Sequence, residues 1–374
     1  MSTDHPHANR PNNVRPEEDI EPPRVYGKFP LNEAVAAKLP VRGTKVLSSL
    51  SYGKSSWNKC AEITTELPDG TIEKYFLKVV KDPTGPIMCK GEFESLKALN
   101  DVLPTIAVKP WATGNYTTDE GECHFILTDF RKICDQPPDP AKFTARLAEL
   151  HKKSVSPTSK FGFHTTTCHG TITQVTDLWE GSWAVLYRKQ LAHMFAIDLK
   201  KNGRWPEFEQ LCDLTLNKVI PRLLEPLQSD GRTIKPCLLH GDCWDENTAT
   251  DEKTKEPFVF DAGSFYGHNE YDVGNWRAPR HRLSGKEYVE SYLTNFEPSE
   301  PKNDWDGRNL LYSLRFNIGT AILVPECHQR EVVFEDMKEL CRRYCPHGYR
   351  SLAEESQAMD KTATARREGP LGSL

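Results

Sequence analysis

Apolar and polar positions change their rhythm about a third of the way along this chain. Between residues 45 and 129, apolar side chains recur at every second position or in short β-branched and aromatic runs, the spacing of strands. It predicts strands at residues 45–50, 57–67, 71–80, 107–114 and 124–129. The turn Pro68-Asp69-Gly70 closes the second and third into a hairpin. One stretch inside this region, residues 88–102, has the three-and-four spacing of a helix. Beyond residue 129 helical spacing dominates, at residues 141–152, 183–200, 205–227, 285–296, 308–323 and 333–344, interrupted by short strands at 236–239 and 258–260. The expectation is an α+β chain of two lobes, a small β-rich one with one main helix and a larger helical one. A polar tail covers residues 1–24, the first lobe 25–129, a hinge 129–132, the second lobe 130–352 and a second polar tail 353–374. Neither tail holds enough apolar surface to fold alone.

Composition narrows the partners. With 374 residues, 37% hydrophobic and 27% charged, the chain reads as a soluble globular protein with a substantial core. A net charge of −5 argues against nucleic acid as a partner, since no basic surplus is available to neutralise phosphates. No run approaches the roughly 20 apolar residues of a membrane span, and residues 1–30 hold no secretory apolar run. Eleven cysteines, odd in number and irregular in spacing, read as reduced thiols of a cytoplasmic protein. Oligomeric state leaves no mark in the pattern.

The chemistry concentrates in Leu239-His240-Gly241-Asp242-Cys243-Trp244-Asp245-Glu246-Asn247 and in Val259-Phe260-Asp261. An Asp, an Asn five residues on, and a second Asp ending an apolar strand are the groups phosphoryl transfer requires. One carboxylate accepts the hydroxyl proton, and an amide with a second carboxylate holds Mg²⁺ on the phosphates of ATP. Asp242 is the candidate base, Asn247 and Asp261 are the candidate metal ligands, and His240 is a candidate brace for the loop. Lys78, set in Tyr75-Phe76-Leu77-Lys78-Val79-Val80, is costly to bury unless an anion meets it. In a protein-kinase-like lobe that anion is phosphate, with a helix glutamate holding the ammonium. Glu92 shares a stripe with Leu96, Leu99 and Leu103 and is the natural partner; Glu94 replaces it if the helical phase differs. The bland alternative is a lysine snorkelling from an edge strand and a glutamate in the first turn of a helix.

The turn Ser51-Tyr52-Gly53-Lys54-Ser55-Ser56 is expected either to cover phosphate, through Gly53, Ser55 and Ser56, or to be an ordinary polar hairpin turn. It is not a Walker A loop, because Ser48 stands where that loop needs its first glycine and a strand follows in place of a helix. Cys341-x3-Cys345-x-His347 lacks the second ligand pair of a zinc site. Cys123-His124 and Cys168-His169 read as core or loop residues. No Gly-x-Ser-x-Gly elbow supports a hydrolase.

Three motifs carry a resemblance: Phe161-Gly162-Phe163-His164-x-x-Thr167-Cys168-x-Gly170-x-x-x-Gln174, His240-Gly241-Asp242-x-Trp244-x-x-Asn247 and Phe260-Asp261-x-x-Ser264-Phe265-Tyr266-Gly267-His268-x-Glu270. Over residues 46–344 the chain resembles the fructosamine-3-kinase/ketosamine-3-kinase family, and Met88-x-x-Gly91-Glu92-x-x-Ser95-Leu96 is similar to that family's helix-C motif. The resemblance implies a protein-kinase-like fold and ATP-dependent, Mg²⁺-assisted phosphorylation of the 3-hydroxyl of a ketosamine. Such a compound is a sugar adduct on an amine such as a protein lysine, and phosphorylation leads to its release. Carried over by position, Asp242 is the base, Asn247 and Asp261 hold the metal, and Lys78 with Glu92 clamps phosphate. Ile126, Thr128, Asp129 and Phe130 belong to an adenine-contacting hinge. The chain departs from the family in its glycine-poor loop, which lacks the usual cysteine, in Cys243 where Leu is usual, and in Ala262-Gly263 where Pro-Ala is common.

For the acceptor, Trp244, Phe265, Tyr266 and His268 are expected either to form a sugar-facing wall or to pack the lobe core. Two other functions stay open. One is a kinase for a different hydroxyl compound, such as an aminoglycoside or choline. The other is a nucleotide-binding pseudokinase, which the intact Lys78, Asp242, Asn247 and Asp261 oppose.

Overall fold

A computed structural model describes residues 25–53, 58–134, 136–324 and 327–351; both expected tails lie outside these residues. The first lobe is built on β1 (Val25–Lys28), β2 (Lys45–Tyr52), β3 (Lys59–Glu66), β4 (Ile72–Val80), β5 (Pro110–Thr118) and β6 (Gly121–Asp129). They form one antiparallel sheet in the order β1-β2-β3-β4-β6-β5. Alternation along β4 decides its two faces. Tyr75, Leu77 and Val79 pack with Ala61, Ile63, Phe125 and Leu127 on one side, where Val35 of the short helix α1 (Glu33–Ala36) joins them. Lys78 and its register partner Ile126 point to the other. There α2 (Gly85–Val102) covers the sheet with Leu96 and Leu99. This helix starts three residues before the expected 88, because Pro86 suits a first turn whose N–H groups need no helical partner.

The second lobe is helical: α3 (Pro140–Lys153), α4 (Trp183–Asn202), α5 (Pro206–Leu214), α6 (Ile220–Leu224), α7 (Glu270–Gly274), α8 (Lys286–Asn295), α9 (Trp305–Leu323) and α10 (Gln329–Tyr344). The single helix expected at 205–227 is broken into α5, a π-helical turn at Thr215–Val219, α6 and a 3₁₀ turn at Glu225–Gln228. Pro221 and Pro226 have no N–H to donate to the preceding turn, so the regular ladder cannot run through. Short strands complete the lobe. β7 (Phe161–Gly162), β10 (Trp179–Glu180), β11 (Cys237–Leu238) and β14 (Tyr266–Gly267) make a small sheet, while β8 (Cys168–His169) pairs with β9 (Ile172–Thr173) and β12 (Thr248–Thr250) with β13 (Pro257–Val259). Strands of two or three residues show no readable period, and most of these were not expected.

Helix α9 runs through the middle of this lobe, buried on nearly every side, with Arg308 and Arg315 inside. Arg308 is neutralised by Glu270, at 2.7 and 2.9 Å. The arrangement is the protein-kinase-like one, a sheet lobe with one main helix set on a helical lobe. No described helix is long and apolar enough to cross a membrane, and all eleven cysteines are free thiols.

Candidate active site

The lobes meet where β4 and α2 face the loops that follow β11 and β13. Lys78 Nζ donates to both oxygens of Glu92, at 2.9 and 2.7 Å, and to Asp261 Oδ1 at 2.6 Å, which closes a contact across 183 positions of sequence. Lys78 is only 5% exposed. Burial presses its ammonium toward neutrality, but Asp261 and Glu92 outweigh it and hold the pKa above the ordinary lysine value. Burial pushes the Glu92 carboxyl up to about 7; Lys78 opposes the shift and Asp261 adds to it. Glu94, the other candidate partner, faces elsewhere and meets His164 Nε2 at 3.1 Å.

Asp242 stands on a loop shaped by Gly241. There φ is +87° and a Cβ would collide with the Gly263 carbonyl, so only glycine fits. Asn247 Nδ2 donates to the Asp242 backbone oxygen at 2.9 Å and to its Oδ2 at 3.1 Å, and Asn275 Nδ2 donates to Oδ1 at 3.3 Å. The carboxylate is 8% exposed. Burial, opposed by the Arg315 charge and reinforced by Asp261, pushes its pKa up to about 7. His240 lies underneath, its Nε2 on the Phe260 carbonyl at 2.9 Å and its Nδ1 accepting from the Asp242 N–H at 3.3 Å. Burial lowers its pKa, in keeping with a neutral ring that donates on one side and accepts on the other.

Asp261 follows β13 with φ of +54° and a side chain 43% exposed to the cleft. Ser95 Oγ donates to the Gly91 carbonyl at 2.7 Å and accepts from Ser264 N–H at 2.9 Å, tying the helix of Glu92 to the segment just beyond Asp261. Because the Asn247 amide nitrogen turns to Asp242, its oxygen faces the opposite way. Among the described residues no cluster of three or more His, Cys, Asp or Glu could hold a metal. The Asn247 amide oxygen and the exposed Asp261 carboxylate are hard donors of the kind that could serve Mg²⁺ together with phosphate and water.

The remaining candidates separate. Gly53 has φ of +66° at the end of β2; Ser55 and Ser56 lie outside the described residues. Ile126 and Thr128 are buried on the cleft side of β6. Asp129 and Phe130 give their N–H groups to Lys109 and Lys74 carbonyls, at 2.9 and 3.3 Å, so they offer a ligand oxygens and a ring face but no backbone donor. The Phe130 ring meets Tyr52 edge-on at 5.0 Å.

The expected sugar-facing wall is not there as a unit. Phe265 is fully buried, stacked at 6.4 Å on Trp183. His268 is also fully buried, bonded to Tyr312 and Ser299 at 2.9 Å each. Tyr266 is held in the small sheet between Phe163 and Trp179. These three pack the lobe interior because β14 runs in its core. Trp244 alone of the four is half-buried, two residues from Asp242, its ring edge-on to His281 at 5.1 Å.

Several residues of the site carried no role in the sequence reading. Asp272 accepts from the backbone N–H groups of His240 and Gly241 at 2.8 and 2.9 Å and meets His151 Nε2 at 3.1 Å, all fully buried. His169 places Nε2 3.7 Å from Asp242 Oδ1, and its Nδ1 accepts from Arg315 at 3.0 Å. Arg315 also holds Gln174 at 2.8 Å. Only the motif position of Gln174 hinted at this group; Asp272 lies 30 residues beyond Asp242, with no spacing signal to connect them.

A profile of the fructosamine kinase family matches residues 43–327. The chloroplastic protein-ribulosamine 3-kinase of Oryza sativa subsp. japonica is 28% identical over 276 residues, covering 73% of this chain and 73% of that protein. The ketosamine-3-kinase of Mus musculus is 30% identical over 223 residues, covering 54% of this chain and 68% of that protein. A solved structure of a candidate fructosamine-3-kinase from Thermobifida fusca superposes with a TM-score of 0.64 at 17% identity, over 84% of this chain and all of that one. At that identity the likeness is one of fold.

Proposed function

Because this chain belongs to the fructosamine kinase family, phosphotransferases with an alcohol group as acceptor, we propose that it phosphorylates the 3-hydroxyl of ketosamines. ATP is the donor, and the phosphorylated adduct then releases its amine. The relatives named for ribulosamine and ketosamine support that acceptor class. We take the nucleotide to lie between the lobe of residues 25–129 and the lobe of residues 130–352, in a cytoplasmic enzyme whose thiols stay reduced.

The observation that carries the reading is the convergence at the cleft. Lys78 is 2.6 Å from Asp261, and Asn247 is 3.1 Å from the carboxylate of Asp242. Asp242 would orient the acceptor hydroxyl and take its proton, and a carboxyl titrating near 7 suits that exchange at neutral pH. Lys78, fixed by Glu92, would meet the nucleotide phosphates from the first lobe. Asn247 and Asp261 would hold Mg²⁺, which supplies charge neutralisation on those phosphates. Trp244 would border the acceptor.

The test is ATP consumption with a synthetic fructosamine and ribulosamine. We expect turnover to a 3-phosphate, with Asp242→Asn lowering kcat by about 100- to 10,000-fold and disturbing ATP binding far less. Asp261→Ala should lose Mg²⁺-dependent turnover in a chain that still folds, since Glu92 remains as a carboxylate partner for the buried Lys78. Turnover confined to choline or an aminoglycoside, or Mg-ATP binding without transfer to any acceptor, defeats the proposal.

A further inference from the structure

The loop of residues 275–284 forms one side of the cleft beside Asp242. Asn275 reaches Asp242, Trp276 Nε1 donates to the Cys243 carbonyl at 3.0 Å, and the His281 ring meets Trp244 at 5.1 Å. Arg280 lies within this loop, and its guanidinium leans on α9 and α10. NH1 donates to Asn317 Oδ1 at 2.8 Å and to Gln329 Oε1 at 3.1 Å, and NH2 to Thr320 Oγ1 at 3.4 Å. On the same stretch of α9, Gly319 lets the His169 ring lie flush on the helix; a Cβ there would stand 2.6 Å from it. Asp242, His169, α9 and Arg280 are therefore joined by one continuous run of contacts.

Two arginines in this run, Arg280 and Arg315, are bonded to neutral acceptors alone. Neither meets a carboxylate within 4.0 Å among the described residues. Elsewhere in the lobe a buried arginine is neutralised directly, as Arg308 is by Glu270. Arg315 is 1% exposed and beyond the reach of a ligand. Arg280 keeps part of its surface open to solvent. Burial above all lowers the pKa of Arg280 to about 10, while Cys327, Asp245 and Asp242 pull the other way. A desolvated guanidinium with no anion of its own is costly, and its planar fork matches a carboxylate or phosphate in two parallel hydrogen bonds.

We infer that the acceptor of this enzyme carries an anionic group, a carboxylate or a phosphate ester, that docks on Arg280 while its hydroxyl faces Asp242. The inference rests on the kinase reading above and sharpens it. The anion is either the carboxylate of a free amino acid bearing the sugar on its α-amine, or a phosphate on the far end of the sugar. A polycationic acceptor such as an aminoglycoside is disfavoured by the same charge.

Three ribulosamines separate the cases: the adduct of glycine, the adduct of ethanolamine, and the 5-phosphate of the ethanolamine adduct. We expect kcat/KM for one of the acceptors with an anionic group to exceed that for the ethanolamine adduct, which lacks one, by about 10- to 100-fold. Preference for the glycine adduct identifies a carboxylate, and preference for the 5-phosphate identifies a sugar phosphate. Arg280→Gln should bring the ratio close to one, and Arg280→Lys should keep part of it, which also covers a glutamine variant that folds poorly. A wild-type ratio near one, or a ratio that Arg280→Gln leaves intact, overturns the inference. Equilibrium binding of the three adducts in the presence of a non-hydrolysable ATP analogue distinguishes the two levels. Selective binding of an anionic adduct that Arg280→Gln abolishes, without phosphoryl transfer, keeps the anion site and sinks the kinase reading. Equal turnover of all three does the reverse, and no binding with no turnover sinks both.

Discussion

Replacing the candidate base should make the protein more stable. Asp242 ionises near 7 in the folded chain and near 3.9 when unfolded. The folded state therefore binds more protons between about pH 4 and pH 7, and stability falls as pH rises through that window. At about 1.4 kcal/mol per tenfold difference in proton affinity, the ionised carboxylate costs the fold about 4 kcal/mol at pH 8. Asp242→Asn preserves the shape and removes that cost. It also turns an NH₂ group toward one of two donors, Asn247 Nδ2 or Asn275 Nδ2, a mismatch of about 1–3 kcal/mol. The net expectation is a gain of about 1–3 kcal/mol at pH 8 that shrinks toward zero, or reverses, by pH 4.5, where the wild-type carboxyl is protonated when folded. Urea unfolding of both proteins at pH 4.5, 6, 7 and 8 measures it, and turnover should be lost in parallel. A variant less stable than wild type by the same amount at every pH would refute the reasoning, because the carboxylate would then carry no burial cost.

Further expectations follow from the same contacts. Asp272→Ala strips the acceptor from three buried donors, two on the Asp242 loop and one on His151. It should cost about 3–6 kcal/mol and depress kcat more than nucleotide affinity; a loss below about 1 kcal/mol in chemical denaturation contradicts that bracing. Phe265→Ala should cost about 3–5 kcal/mol by leaving a cavity beside Trp183, with acceptor selectivity untouched in the folded fraction. A selectivity change in steady-state kinetics would return Phe265 to the acceptor pocket. Glu92→Gln removes one of the two carboxylates on Lys78 and should raise KM for ATP about tenfold. An unaltered KM would mean that Asp261 alone positions the lysine.

Local signals carried the fold and the core of the candidate site. Period-two alternation in residues 71–80 marked β4 and set Lys78 against its apolar neighbours. The helical stripe through Leu96 and Leu99 named Glu92, and the spacing from Asp242 through Asn247 to Asp261 marked the groups of the candidate phosphoryl-transfer loop. Each of these is written within about 20 consecutive residues, where backbone periodicity and turn chemistry leave their mark. Strands as short as β8 and β14 show no period, so the aromatic run at 265–268 was open between cleft and core until packing put it in the core. The helix expected at 205–227 failed at Pro221 and Pro226, a conflict that was visible in the sequence but whose outcome was not.

What the chain determined alone was which chemical groups exist and which short segments present them, because those follow from residue type and from 2- or 3.6-residue repeats. Tertiary structure decided which distant groups share an environment. Asp272 under the Asp242 loop, His169 and Arg315 behind its carboxylate, and Arg280 without a carboxylate partner all depend on contacts 30 or more residues apart. Burial strengthens charges and raises the cost of leaving them unpaired, and burial is a property of the packed molecule that no local pattern encodes.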